Sequence, residues 1–161
     1  MLIITLIGNF TGCFYSFTGA SVPTHLNSIA VLTFEDRSGS GEAGLQEEFT
    51  SRQIQKFVSD NTLQVSERVN ADAVLEGTIL SISDTPVAVS TQESVSTRQV
   101  TLNVRVVFKD LVKKQTISDR RYTNYGIYNV EGNLLENRQQ ALNTAIDRIT
   151  DDILLGTVSN W

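Results

Sequence analysis

The stretch Val100 to Phe108, VTLNVRVVF, is the feature that most restricts the fold of this chain. Apolar residues stand at every second position, namely Val100, Leu102, Val104, Val106 and Phe108. Side chains of a β-strand point alternately to the two faces of the sheet, so this spacing places the whole apolar set on one face. The pattern predicts a strand with one face in the core and the other face open to solvent.

Several other segments are rich in β-branched and aromatic residues, which favour strands. They comprise residues 27–36, 62–67, 71–90 and 116–128, the last of which returns from a turn at residues 109–115. Gly77 lies inside the third of these segments and is predicted to mark a bulge or a close approach of another group.

Two segments have the apolar spacing of amphipathic helices. The first runs from Glu42 to Asp60 and is predicted to end at Asn61, with an apolar face of Leu45, Phe49, Ile54, Phe57 and Val58. The second lies within residues 132–161, with a stripe of Leu142, Ile146, Ile149 and Ile153 and with Gly156 as the predicted carboxyl cap.

The order β-α-β-β-β-β-α predicts an α+β fold, a two-layer sandwich. Two helices pack on one face of a four- to five-stranded, mostly antiparallel sheet in this prediction. Residues 27–161 are expected to form a single domain of this kind.

The residue inventory argues against an enzyme, a metal site or a cofactor. The chain has one histidine, His25, and one cysteine, Cys13, which is too few for a zinc site of His and Cys ligands. It has no Gly-x-Ser-x-Gly, Walker or dinucleotide-binding pattern. The adjacent carboxylates Glu47–Glu48 and Asp151–Asp152 point about 100° apart on a helix and cannot flank one bond. A net charge of −5 also disfavours nucleic acid as a partner.

The amino-terminal segment has the features of an export signal that ends in a lipid-attachment site. The apolar run MLIITLIGNF precedes Phe10-Thr11-Gly12-Cys13, in which small residues stand just before the cysteine. This pattern predicts a signal peptide over residues 1–12 with a truncated n-region, lipidation of Cys13 by diacylglycerol and an acyl chain such as palmitate, and a lipidated segment over residues 13–26. The alternative is a buried first strand that contains an incidental core cysteine.

The stretches GCFYSFTGASVPTHLNSIAV (residues 12–31) and EGTILSISDTPVAV (residues 76–89) resemble the LPS-assembly lipoprotein family (LptE-like). The resemblance extends over nearly all of the chain after Cys13, and it implies a sandwich of two helices and four strands. It implies a non-enzymatic lipoprotein, anchored to the periplasmic side of the outer membrane, which plugs the LPS-assembly β-barrel (LptD), assists its folding and helps deliver lipopolysaccharide. A lipoprotein of another envelope secretion or transport machine is the alternative.

Basic residues are concentrated around the predicted hairpin. Residues 98–121 contain seven basic and two acidic residues and carry a charge of +5 on a chain of net charge −5. The predicted ligand-binding patch consists of Arg105, Lys109, Lys113, Lys114, Arg120 and Arg121. These side chains suit the phosphates and acidic sugars of lipopolysaccharide, but solvated charges that protect a sheet edge have the same pattern.

Overall fold

The structure, a computed structural model, describes residues 22–87 and 97–159. The elements in this part of the chain are β1 (Ser28–Val31), β2 (Glu35–Asp36), α1 (Leu45–Asp60), β3 (Gln64–Val65), β4 (Ala73–Pro86), β5 (Thr97–Asp110), β6 (Gln115–Asn129) and α2 (Leu134–Val158). A short 3₁₀ turn, Arg68–Asn70, joins β3 to the long central strands.

The strands form one mixed sheet in the order β3-β1-β4-β5-β6, with β2 paired to β4 beyond the end of β1. The pairs β4–β5 and β5–β6 are antiparallel, whereas β1 runs parallel to both β3 and β4, and β2 runs parallel to β4. The α+β class is confirmed. The predicted sheet was wrong in its number of strands, six rather than four or five, and in omitting the parallel pairs. A helical crossover through α1 carries the chain back beside β1 in the same direction, which produces a parallel pair.

The predicted first strand, residues 27–36, is interrupted after Val31. At the interruption the Phe34 backbone N–H donates to Thr50 Oγ1 of α1 at 2.9 Å instead of to a neighbouring strand. The Phe34 ring lies against Gly77 of β4, where a Cβ atom would overlap the ring. The predicted close approach at Gly77 is therefore confirmed, while the bulge of β4 falls between Ile79 and Ser81.

Both helices pack on the same face of the sheet. The five alternating apolar residues of β5 are almost completely buried there, as the sequence predicted. The α2 stripe is buried against them, and Leu45, Phe49 and Phe57 of α1 complete the core. On the opposite face β4 and β5 present half-buried polar side chains such as Thr78 and Asn103, so this face has no helical cover in the described residues.

The ends and faces of the helices differ from prediction at a few positions. Asn61 ends α1 in the left-handed conformation, as expected, but Val58 is 61% exposed and does not belong to the buried face. Gly156 is not a cap, because α2 continues to Val158. This glycine instead gives room to the Tyr122 hydroxyl of β6, which a Cβ atom would meet.

A cluster of charged and polar side chains connects the end of β4, the start of β5, the end of β6 and the start of α2. Asp84 accepts hydrogen bonds from the Tyr128 hydroxyl at 2.7 Å, Arg98 Nε at 2.8 Å and Arg138 Nε at 3.2 Å. Arg138 also contacts Glu42, before α1, at 2.6 Å. Burial alone would raise the pKa of Asp84, but the hydrogen bonds from Tyr128 and Arg98 outweigh burial and hold that pKa below its usual value.

We expect Gly126→Ala to lower the free energy of unfolding by about 3 kcal/mol, because α2 crosses β6 so closely that the new methyl group overlaps the Ala141 backbone carbonyl. Gly156→Ala is the comparison variant, since its methyl group meets the outer end of the Tyr122 side chain and no backbone atom, and alanine favours the helix; its effect should stay within about 1 kcal/mol. Urea unfolding measures both variants. Equal stability of the two would contradict this account of helix packing.

We expect Asp84→Asn to lower stability at neutral pH by about 1–2 kcal/mol, because the cluster loses its central charge. The folded-state pKa of Asp84 is depressed, so its contribution is present above the unfolded value of 3.8 and is lost as the pH falls through the lower folded value. Urea titrations from pH 7 to pH 2 should show the difference from wild type shrinking below about pH 4. Glu131→Gln, an exposed change, is the control, and a difference that persists unchanged at low pH would refute the assignment.

Candidate functional site

The β5–β6 hairpin carries the six basic residues of the predicted patch, and the structure divides them into two groups. Arg105 makes a bidentate contact with Asp119 of β6, with N···O distances of 2.8 and 2.5 Å. Lys109 Nζ lies 2.6 Å from Glu76 Oε2 of β4. These two cations are therefore balanced by carboxylates on neighbouring strands.

The pKa values of the first pair shift in the directions that this contact requires. The hydrogen bond to Asp119 raises the pKa of Arg105, and the same bond lowers the pKa of Asp119. Both groups stay ionised at neutral pH, and their charges cancel locally. Both side chains are about half exposed, so water screens the attraction.

The other four cations have no carboxylate within 4.0 Å among residues 22–87 and 97–159. Lys113 and Lys114 form the tip of the hairpin, where Lys114 takes the left-handed conformation with φ 54°. Arg121 stands opposite Arg105 on the open face, whereas Arg120 stands opposite Val106, on the face that the helices cover. The uncompensated charge thus lies at the tip and along β6.

Three tyrosines flank these charges, and their surroundings differ. Tyr122 and Tyr128 point to the helix side of β6, and burial raises the pKa of both phenols. Tyr125 is on the open face, 41% exposed, with the Arg148 guanidinium 5.6 Å from its ring centre. Tyr125 is therefore the aromatic side chain of this group that offers a surface to a ligand.

The turn end of the hairpin is held by a contact that the sequence did not predict. His25 Nε2 lies 2.7 Å from Asp110 Oδ2, and Asp110 is only 1% exposed. Burial would raise the pKa of Asp110, but the hydrogen bonds from the Lys113 backbone amide and His25 prevail and lower it. These residues lie 85 positions apart, so no local sequence pattern predicts that they form a pair.

The acidic pair Asp151–Asp152 on α2 is separated as the helical geometry predicts. Asp151 contacts Lys56 of α1 at 2.7 Å, while Asp152 accepts a hydrogen bond from Asn124 of β6 at 3.0 Å. In the described part of the chain, no group of three or more His, Cys, Asp or Glu side chains is arranged to hold a metal ion. Within the same residues, neither helix is both long and apolar enough to cross a bilayer. Cys13 and the predicted signal peptide lie outside the described residues.

Solved structures with the same fold come from several bacteria. The protein CT253 from Chlamydia trachomatis has a TM-score of 0.60 at 14% identity, with 80% of this chain and 94% of that chain covered. A putative lipoprotein from Caulobacter crescentus has a TM-score of 0.56 at 12% identity, with coverages of 83% and 89%. PelC from Paraburkholderia phytofirmans, solved as a dodecamer, has a TM-score of 0.54 at 12% identity, with coverages of 88% and 95%. At these identities the likeness is one of fold alone.

Sequence comparison assigns the family. No curated protein matches the chain in sequence. The profile of the lipopolysaccharide-assembly family LptE matches residues 26–155, which include every helix and strand described above except the last residues of α2. This match confirms the resemblance seen in the sequence. The chain belongs to the lipopolysaccharide-assembly family LptE.

Proposed function

We propose that this protein is an outer-membrane lipoprotein that serves as plug and folding partner of the LPS-assembly β-barrel LptD and assists lipopolysaccharide transport to the cell surface. The observation that carries the proposal is the family match over residues 26–155, most of the folded chain. The role is structural and not enzymatic.

The proposed anchor is a lipid on Cys13, after removal of residues 1–12. Nine residue steps separate Cys13 from Val22, where the described structure begins. A segment of that length reaches at most about 30 Å when fully extended. The folded part would then stay close to the periplasmic surface of the outer membrane, where the barrel is embedded. Two or more acyl chains give stable anchoring.

The proposed lipopolysaccharide contact is the basic patch of the β5–β6 hairpin. Phosphate groups form strong charge-assisted hydrogen bonds with Lys and Arg. Within the patch, Arg105 and Lys109 are occupied by carboxylates, so the four remaining cations at the tip and on β6 would make the main contacts. The acidic remainder of the chain would repel the same ligand and favour binding at the hairpin.

A second candidate is a component of another envelope secretion or transport machine. The fold shared with PelC, which was solved as a dodecamer, favours this candidate, since that architecture can assemble into a large homo-oligomer. The family match favours the first candidate, because it rests on this chain's own sequence over most of its length. The two candidates predict different partners.

We expect the tagged full-length protein, extracted from outer membranes in mild detergent, to co-purify with a large β-barrel that shifts in electrophoretic mobility on heating. Cys13→Ser should release the protein from the membrane fraction, because serine cannot accept the thioether-linked lipid. Immunoblotting of membrane and soluble fractions, with mass spectrometry of the purified material, measures both effects.

A ring of identical subunits with no barrel would instead favour the second candidate. An intact mass that begins at Met1 and carries no lipid would refute the anchor.

We expect reversal of the four uncompensated cations to glutamate to weaken lipopolysaccharide binding by the full-length protein on the order of tenfold or more at moderate salt. The changes are Lys113→Glu, Lys114→Glu, Arg120→Glu and Arg121→Glu. Fluorescence titration of detergent-dispersed lipopolysaccharide measures the affinity. Unchanged affinity would show that these charges only protect the sheet edge.

A matched pair of variants separates local contact from net charge. Lys113→Gln with Lys114→Gln lowers the net charge at the hairpin tip, and Gln139→Glu with Gln140→Glu lowers it equally on the exposed side of α2. If the hairpin binds lipopolysaccharide directly, only the first variant should have a lower affinity for lipopolysaccharide.

A further inference from the structure

Strand β6 is an edge of the sheet and pairs only with β5 among the described strands. It runs over 15 residues, Gln115–Asn129, with most of its first half exposed. An edge strand presents unpaired backbone N–H and C=O groups to which another strand can bind.

The hydrogen-bond pattern between β4, β5 and β6 shows which backbone groups of β6 point away from the sheet. Leu111 N–H donates to the Asp72 carbonyl, and Val87 N–H donates to the Thr97 carbonyl, so the odd-numbered residues of β5 bond to β4. The even-numbered residues of β5 therefore bond to β6, where their partners also have even numbers, as in the pair Val104↔Tyr122. The backbone groups of odd-numbered β6 residues point away from the sheet.

In the carboxyl half of this edge, side chains already cap the outward backbone groups of Tyr125 and the carbonyl of Asn129. Arg148 Nη1 donates to the Tyr125 carbonyl at 2.7 Å, and the Tyr125 N–H donates to Asn124 Oδ1 at 3.0 Å. Asn137 Nδ2 donates to the Asn129 carbonyl at 3.0 Å. These side chains occupy the outward positions at which an added strand would bond.

The preceding positions have no such caps. The outward backbone groups of Asp119, Arg121 and Thr123 make no hydrogen bond within residues 22–87 and 97–159. Their side chains are exposed and turned to the open face, where Asp119 is paired with Arg105 and Thr123 donates to Asn103 Oδ1 at 2.5 Å. A stretch of about 15 Å of backbone is thus available for pairing.

The positive charges of β6 indicate which kind of strand could pair with this stretch. Arg121 lies on the open face and Arg120 on the helix side, and neither has a carboxylate within 4.0 Å in the described chain. A second copy would bring its own Arg120 and Arg121 toward the same charges, and like charges on facing strands destabilise pairing. A strand with two adjacent acidic residues would place one carboxylate on each face, against one arginine each.

We propose that residues 119–123 of β6 form a strand-addition site for an extended acidic segment of a partner protein. Backbone hydrogen bonds to the added strand provide the affinity, and Arg120 and Arg121 provide the preference for an acidic segment. The site does not require lipopolysaccharide or the lipid anchor, so this proposal and the proposed function can fail separately.

The test uses the full-length protein in detergent micelles and a short capped peptide, Thr-Val-Thr-Val-Asp-Glu-Val-Thr-Val, labelled for fluorescence anisotropy. A peptide with Lys-Lys in place of Asp-Glu is the matched control. We expect the acidic peptide to bind at least about tenfold more tightly at low salt, with slower amide exchange in the fragment that contains residues 119–123. Equal binding of the two peptides, or unchanged exchange in that fragment, overturns the proposal.

Variants at Thr123 separate strand pairing from simple charge attraction. Thr123→Pro and Thr123→Ala both lose the hydroxyl bond to Asn103, but only proline removes the outward N–H. We expect the proline variant to bind the acidic peptide about tenfold more weakly and the alanine variant to stay within about twofold of wild type. Equal affinities of two folded variants would exclude backbone pairing.

If the proline variant does not fold, the double variant Arg120→Glu with Arg121→Glu provides the test. It must lose both its affinity for the acidic peptide and the slowing of amide exchange that the peptide causes. Arg68→Glu, at an exposed residue on the 3₁₀ turn beside the opposite edge, is the charge control and must retain both. Retention of both by the double variant contradicts the proposal.

Discussion

Both helices pack on one face of the sheet, α2 over β5 and β6 and α1 beside β1, β2 and β3, and this one-sided packing governs where the other side chains can go. The alternating apolar residues of β5 are buried from solvent on that face. Gly126 lets α2 approach β6 without a side chain between them. Since the helices cover only one face in the described residues, many alternate residues of the central strands must suit an open surface, and Thr101, Asn103 and Arg105 of β5 do so. The charged hairpin is a consequence of this one-sided burial.

The hairpin concentrates positive charge on an otherwise acidic chain, but tertiary contacts reduce the effective charge. Three of its seven cations, Arg98, Arg105 and Lys109, are paired with carboxylates, two of which lie on β4. What remains is a narrower cationic strip at the tip and along β6. Both proposals for this strip, a lipopolysaccharide contact and a strand-addition site, use cations that have no carboxylate within 4.0 Å in the described part of the chain. They differ in the groups that do the binding, which are side chains in the first case and backbone in the second.

The fold by itself does not choose a function. Proteins with 12–14% identity to this chain share its architecture, and one of them was solved as a dodecamer. A shared fold does not imply a shared function, because function resides in the particular residues that a chain places on the fold. The assignment to the lipopolysaccharide-assembly family comes from the sequence of the folded region, whereas the contact between the basic residues and an anionic ligand is our proposal.

Elements with a locally repeating pattern could be predicted from the sequence: the buried face of β5, the α2 stripe, the end of α1 at Asn61 and the α+β class. Such patterns follow from the fixed periods of strand and helix, so a short window contains them. The parallel pairing of β1, the exposure of Val58 and the choice of which cations of the basic patch are neutralised became visible only in the folded chain. These outcomes depend on partners far apart in the chain, as Lys109 and Glu76 are, and no local period encodes which distant strand lies alongside.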